Sequence, residues 1–313
     1  MKQVALIFPG QGSQYTGMCS DFFEFDKSKE IFDIAKNLLN YDIKHTILKE
    51  PQEILSQTEI TQPAVFVTSV ICYEVFKSKI TDKKIDVKYV AGHSLGEYTA
   101  LYSGGVFDFE TGLKLVISRS NFIKDASSKV KGIMAAIIGL DENKINQICS
   151  RASEFGVVEP VNFNSPQQIV ISGEIKSVEY ACNLSKQEGA LKSVILNVSG
   201  PFHSSLMKEA SNNFEIELNK YELHNSTVPV VMNLDAIPTV DSNQIKMKMV
   251  KQISNPILWS KTIKFIIDSG IKIFIEIGPG KVLSGLIKRI DKSSKVYNIE
   301  DNKSLEFFLK EIN

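Results

Sequence analysis

Apolar residues in this chain fall into short unbroken runs and longer helical stripes, and the two alternate. Val4 to Phe8 is a continuous apolar run stopped by Pro9-Gly10, the pattern of a strand covered on both faces of a parallel sheet. Ser28 to Leu39 reads as helical, and Thr61-Gln62-Pro63-Ala64 opens a longer apolar helix through Val75. Pro63 is expected in its first turn, where a missing N–H is harmless. A second buried strand, Val87 to Ala91, runs into Gly92-His93-Ser94-Leu95-Gly96, with helices expected over Glu97 to Leu101 and Phe109 to Ala126. Strands alternating with helices imply a parallel sheet with helices on both faces, an α/β fold of the α/β-hydrolase-like kind.

From Gly132 the rhythm changes. Strands are expected at Ile133 to Ile138, Val157 to Asn162, Gln168 to Ser172 and Leu191 to Val198, with helices over Asp141 to Phe155 and Ile175 to Glu188. That β-α-β-β-α-β order predicts an inserted ferredoxin-like subdomain over residues 131–199. Ser199-Gly200-Pro201 then breaks the chain, helical residues follow, and a further buried strand, Lys272 to Ile277, ends in Gly278-Pro279-Gly280. Residues 1–130 and 200–313 are therefore expected to form one large catalytic domain around the insertion. The chain's 313 residues exceed what a single core usually sustains.

Composition narrows the class. Hydrophobic residues make up 43% and charged residues 23%, and 36 basic side chains balance 36 acidic ones. The first two values place the chain among globular proteins, and the balance removes any global positive field for gripping nucleic acid. Cys19, Cys72, Cys149 and Cys182 are scattered without a C-x-x-C, which argues against a zinc cage or disulfide framework and fits a reducing compartment. The first ten residues do not read as a secretory leader, and no apolar stretch reaches the ~18–20 residues that span a bilayer. The expectation is a cytoplasmic protein without nucleic-acid or membrane partners.

Gly92-His93-Ser94-Leu95-Gly96 fits G-x-S-x-G between a strand and a helix. There the serine sits on a sharp turn, and small flanking residues let the two backbones pass closely. Leu95 offers a backbone N–H at a helix start, suited to developing negative charge. Ser94 is the expected nucleophile, and it needs a base. Of the four histidines, His93 adjoins the serine and His45 and His224 lie in polar stretches, leaving His203, on the proline-stiffened Gly200-Pro201-Phe202 loop, as the expected base. Gln11, in the first strand-to-helix loop, is placed to supply a second backbone donor. Neither glycine-rich loop keeps a nucleotide fingerprint. Tyr15 stands at the third glycine of the first, and Val282 replaces the Ser/Thr of a phosphate loop in the second.

Six ordered segments resemble the malonyl-CoA:acyl-carrier-protein transacylase family over Val4 to Ile290. They are Gly10-Gln11-Gly12-Ser13-Gln14, Thr61-Gln62-Pro63-Ala64, the Gly92 to Tyr98 turn, Asn162-Phe163-Asn164-Ser165-Pro166, Gly200 to Met207, and Gly278 to Leu283. The resemblance implies Ser94 as nucleophile, His203 as base, and the backbone N–H groups of Gln11 and Leu95 as the oxyanion hole. It further implies Arg119 as the clamp on the free malonyl carboxylate and the Gln252 carbonyl as the acceptor that orients His203. Phe202 and Asn162 would complete the substrate site. The implied activity is malonyl transfer from malonyl-CoA to the phosphopantetheine thiol of acyl carrier protein in fatty acid biosynthesis, by a monomer, with no cofactor or metal beyond malonyl-CoA as substrate. Lys281, Lys288 and Arg289 are candidate contacts for an acidic carrier. The rivals are a serine hydrolase or thioesterase, which lacks a convincing Asp or Glu between Ser94 and His203, a malonyl-loading enzyme of a polyketide pathway, and a non-catalytic interaction module that kept the fold, which the joint presence of Ser94, His203, Arg119 and Gln11 argues against.

Overall fold

The computed structural model describes residues 1–81 and 85–312. Its strands are β1 (Lys2–Phe8), β2 (Ile85–Gly92), β3 (Gly132–Ile138), β4 (Val158–Ser165), β5 (Gln168–Glu174), β6 (Lys192–Ile195), β7 (Val230–Val231), β8 (Pro238–Thr239), β9 (Ile273–Ile277) and β10 (Lys295–Ile299). They form two sheets. The larger has the order β10-β9-β1-β2-β7-β8, parallel throughout except for the β7–β8 pair. The smaller has the order β4-β5-β3-β6 and is antiparallel.

β1 lies at the centre of the larger sheet, and from Val4 to Phe8 it is buried on both faces, which is why its sequence is apolar without alternation. One face meets a core that includes Leu6, Phe8, Phe66, Val70 and Leu101. The other meets a core with Ala5, Ile7, Trp259, Ile263 and Ile287. The smaller sheet has its own core, with Ile137, Ile145, Ile171 and Val178, drawn entirely from residues of the 133–190 stretch.

Several boundaries differ from the sequence reading. The long helix runs Thr58–Lys79, so Pro63 is its sixth residue rather than part of the first turn. Pro63 therefore leaves the Glu59 carbonyl without its helical donor. This helix is buried almost all round, and tertiary packing outweighs that local loss. β6 stops at Ile195, because its pairing with β3 ends at Ala135. The chain then bends toward the helix Thr58–Lys79, where Ser199 Oγ meets Thr58 Oγ1 at 2.8 Å. β7, β8 and β10 and the helices Ser242–Gln252, Trp259–Asp268, Val282–Ile290 and Asn302–Glu311 lie where the sequence reading named no element.

Candidate active site

The turn from β2 into the helix Gly96–Ser103 is set by steric exclusion. A Cβ on Gly92 would lie 1.9 Å from the Gly96 carbonyl carbon, and one on Gly96 would lie 2.0 Å from the Phe8 carbonyl oxygen. Only hydrogen fits at either position, so β1, β2 and the helix meet at closest approach. Ser94, at the apex, has φ of 51°, a left-handed conformation that a side chain adopts only when its surroundings compel it.

His203 lies across from Ser94, also at positive φ (61°), on the loop that follows β6. Ser94 Oγ and His203 Nε2 are 2.7 Å apart, and His203 Nδ1 is 2.9 Å from the Gln252 carbonyl. A carbonyl only accepts, so Nδ1 carries the proton and Nε2 presents its lone pair to the serine hydroxyl. Burial, reinforced by the Arg119 charge and opposed by the Gln252 carbonyl, lowers the His203 pKa to about 3. The ring is therefore neutral across the physiological pH range, with its Nε2 lone pair directed at the serine hydroxyl.

Arg119, in the helix Phe109–Lys129, is fully buried. Its Nη1 donates to Gln62 Oε1 (2.7 Å), and its Nη2 donates to Ser94 Oγ (3.0 Å) and Gln252 Oε1 (3.1 Å). The guanidinium carbon stands 5.5 Å from the Tyr98 ring centre, a favourable cation–π position. Burial lowers the Arg119 pKa from its ordinary value, yet a guanidinium keeps its charge in proteins. A positive fork therefore sits at hydrogen-bond distance from the same hydroxyl that faces the imidazole.

These groups line a cavity of ≈ 100 Å³, together with Gln11, Leu95, Asn162 and Phe202. A second cavity of ≈ 240 Å³ shares Gln11, His93, Asn162 and Leu196 with the first and extends past Asn164 and Gln168. Among the described residues, the backbone N–H groups of Gln11 and Leu95 have no acceptor, and the Asn162 Oδ1 is buried without a donor. Phe202 forms an apolar part of the wall. The site thus combines a hydroxyl facing an imidazole lone pair, two backbone amides without an acceptor, a buried cation and a second cavity adjoining the first.

Of the remaining histidines, His93 lines the cavity but is engaged elsewhere. His93 Nε2 meets Asn164 Oδ1 at 2.8 Å and its ring packs edge-on to Trp259. His45 and His224 are exposed. Four contributions escaped the sequence reading: Gln62, Glu97, Asn233 and the side chain of Gln252. Asn233 Oδ1 accepts from the Ser94 N–H (2.7 Å), and its Nδ2 donates to the Gly92 carbonyl (2.7 Å). Glu97 is buried and accepts from the Asn233 N–H (2.6 Å) and Gln252 Nε2 (3.0 Å). Burial pushes its pKa up to about 8 against the pull of Asn233, Arg119 and Gln252. The available signal was a charged residue inside the otherwise uncharged Gly92 to Ser103 stretch.

Residues 5–306 match the model of the acyl transferase domain family. The chain is 40% identical over 302 residues to the malonyl CoA-acyl carrier protein transacylase of Haemophilus influenzae, covering 96% of each chain. It is 38% identical over 312 residues to that of Bacillus subtilis, covering 99% of this chain and 97% of the relative. The solved malonyl CoA-acyl carrier protein transacylase of Coxiella burnetii superimposes with a TM-score of 0.95 at 37% identity, over 99% and 98% of the two chains. A malonyl-transacylase solved in complex with a type II polyketide acyl-carrier protein gives 0.95 at 38% identity, over 99% and 100%. With the fold matched over almost its whole length, the chain belongs to the acyl transferase family, among the malonyl CoA-acyl carrier protein transacylases.

Proposed function

We propose that this protein moves the malonyl group from malonyl-CoA to the phosphopantetheine thiol of acyl carrier protein through a malonyl-Ser94 intermediate. The observation that carries the reading is the convergence on one hydroxyl of the His203 lone pair (2.7 Å) and the Arg119 guanidinium (3.0 Å). In the first half-reaction Ser94 Oγ attacks the thioester carbonyl as its proton passes to His203 Nε2. The carbonyl electron pair moves onto oxygen, where the Gln11 and Leu95 amides stabilise it. Collapse of that adduct breaks the C–S bond, and the coenzyme A sulfur leaves with the proton from Nε2. The carrier thiol then gives its proton to Nε2, attacks the malonyl ester, and releases Ser94 reprotonated.

In this reading the Gln252 carbonyl replaces the carboxylate of a hydrolase triad by holding Nδ1–H. Arg119 takes the free malonyl carboxylate as a two-pronged, charge-assisted clamp. Asn162 offers its unpaired Oδ1 to a donor on the pantetheine arm, and Phe202 closes the acyl pocket. The inserted lobe, residues 131–199 between 1–130 and 200–313, reads as ferredoxin-like; its strand order β4-β5-β3-β6 supports this. Four free, buried cysteines support a reducing, cytoplasmic setting. The carrier is read as docking near the helix Val282–Ile290. There Arg289 hydrogen-bonds Gln168, Lys281 lies 3.5 Å from Glu300, and Lys288 is held by the Ser294 carbonyl. Fatty acid synthesis is the proposed setting. The relative solved with a polyketide carrier favours, as a second reading, an acceptor of that class.

The test is transfer of labelled malonyl from malonyl-CoA to purified acyl carrier protein, with mass spectrometry of the enzyme before carrier is added. A malonyl adduct on Ser94 that persists in water and is discharged by the carrier is expected. Ser94→Ala should abolish both. Rapid release of free malonate without transfer would assign the hydrolase reading instead.

A further inference from the structure

Ser94 adopts a left-handed backbone (φ 51°) that is strained for any residue with a side chain, so something must hold it there. At such a turn the flanking peptide groups have left the β2 ladder and need other partners. The helix start supplies some, the Gly96 N–H to the His93 carbonyl (2.9 Å) and the Glu97 N–H to the Ser94 carbonyl (3.1 Å), and two side-chain amides supply the others. Asn233 accepts from the Ser94 N–H and donates to the Gly92 carbonyl, both at 2.7 Å. Gln252 Nε2 donates to the Ser94 carbonyl at 2.9 Å. An amide presents oxygen at one end and NH₂ at the other, and only its neighbours decide which end faces where. Gln252 turns its Oε1 to Arg119 (3.1 Å) and its Nε2 to Glu97 (3.0 Å). Asn233 donates its own backbone N–H to the other Glu97 oxygen (2.6 Å).

Both residues that grip the turn are thus anchored on one buried carboxylate, three residues beyond the serine: Gln252 by its side-chain amide and Asn233 by its backbone N–H. We propose that Glu97 is a positioning residue: by fixing Asn233 and Gln252, its carboxylate holds the strained Ser94 turn and with it the alignment of Oγ on His203 Nε2. Both Glu97 oxygens accept, and glutamine at this position would turn an NH₂ group toward either the Asn233 N–H or the Gln252 NH₂. A donor would then face a donor where no water reaches. Gln252 also supplies the carbonyl that holds His203 (2.9 Å), so slackness at Glu97 reaches nucleophile and base together. This rests on the acyl-transfer reading only for its kinetic arm.

Glu97→Gln keeps shape and removes the double acceptor. For malonyl-CoA assayed on the alkaline side of pH 8, where Glu97 is ionised, kcat should fall on the order of 10²-fold, the effect of roughly an ångström of misplacement, while KM does not rise. Turnover of acetyl-CoA should fall by the same factor, because the turn serves both donors. A raised KM with kcat retained would overturn the proposal by making Glu97 a support for Arg119 binding alone. An unchanged kcat in the folded variant would also overturn it. A second measurement needs neither substrate nor variant: in the wild-type protein, the Ser94 amide should exchange with deuterium as slowly as β2. Exchange at the rate of an exposed loop would overturn the proposal even if Glu97→Gln failed to fold. Because that arm is independent of activity, it stands apart from the malonyl-Ser94 test.

Discussion

At the residue scale, the decisive contacts are those that distinguish acyl groups. Arg119 is completely buried, and its hydrogen bonds run to neutral acceptors, Gln62, Gln252 and the Ser94 hydroxyl. A guanidinium in such a place gains most from an incoming carboxylate, and a site built around a polar group rejects the analogue lacking it by up to ~10⁴–10⁵. Arg119→Ala should therefore cost most of the preference for malonyl-CoA over acetyl-CoA, read as the ratio of kcat/KM values. Retention of the full preference would mean that another group binds the carboxylate. Ser94, His203 and Arg119 could all be singled out from sequence, the first by its turn signature, the second by elimination, the third by family resemblance alone. Asn233 could not, and Glu97 showed only as a lone charge, because their roles are hydrogen bonds to groups brought near only by folding.

At the scale of elements, the active site depends on how closely β1, β2 and the helix Gly96–Ser103 approach one another. Gly96→Ala would place a methyl 2.0 Å from the Phe8 carbonyl oxygen, a backbone atom that cannot step aside. We expect a loss of about 3 kcal/mol or more in stability, with activity failing in parallel. Gly285, in the helix Val282–Ile290, supplies the contrast, since an added Cβ meets nothing within 4 Å. Gly285→Ala should stabilise the protein by about 0.5–1 kcal/mol. Paired denaturant titrations of the two variants check both signs. The strand-to-helix turn was legible because steric need leaves a glycine signature. The short strands β7 and β8, of two residues each, carry too few positions for any periodicity to register.

At the scale of the whole molecule, buried ionisable groups make stability depend on pH. Burial raises Glu97 to about 8 and Glu276 to about 7; three bonds from Ser284 and Leu283 pull Glu276 the other way, and Glu300 adds to the rise. A carboxyl whose folded pKa is raised contributes stability that is present below its unfolded value of about 4.3 and lost as pH climbs through the folded value. His203, lowered to about 3, works in the opposite sense: its contribution is present above about 6.5 and lost as pH falls toward 3. From pH 8 down to about 6.5 the raised carboxyls, and the buried cysteines whose pKa values burial also raises, act in the same sense, so the melting temperature should rise on acidification across that window. Glu97→Gln should flatten the rise, and thermal melts at closely spaced pH values would show it. A flat wild-type profile would mean that neither carboxyl titrates there.

Sequence by itself determined the alternation of strands and helices, the turn bearing Ser94, the β-α-β-β-α-β order of residues 131–199, and the family. Each of these is written in local patterns: unbroken apolar runs, glycines where backbones must touch, motifs in a set order. Tertiary structure decided how Arg119 is held, and that one carboxylate anchors both residues that grip Ser94. Those contacts join residues far apart along the chain, as Glu97 and Asn233 are. Short-range patterns carry no record of them, because hydrogen-bond partners of buried polar groups are selected by packing, not by neighbours along the chain.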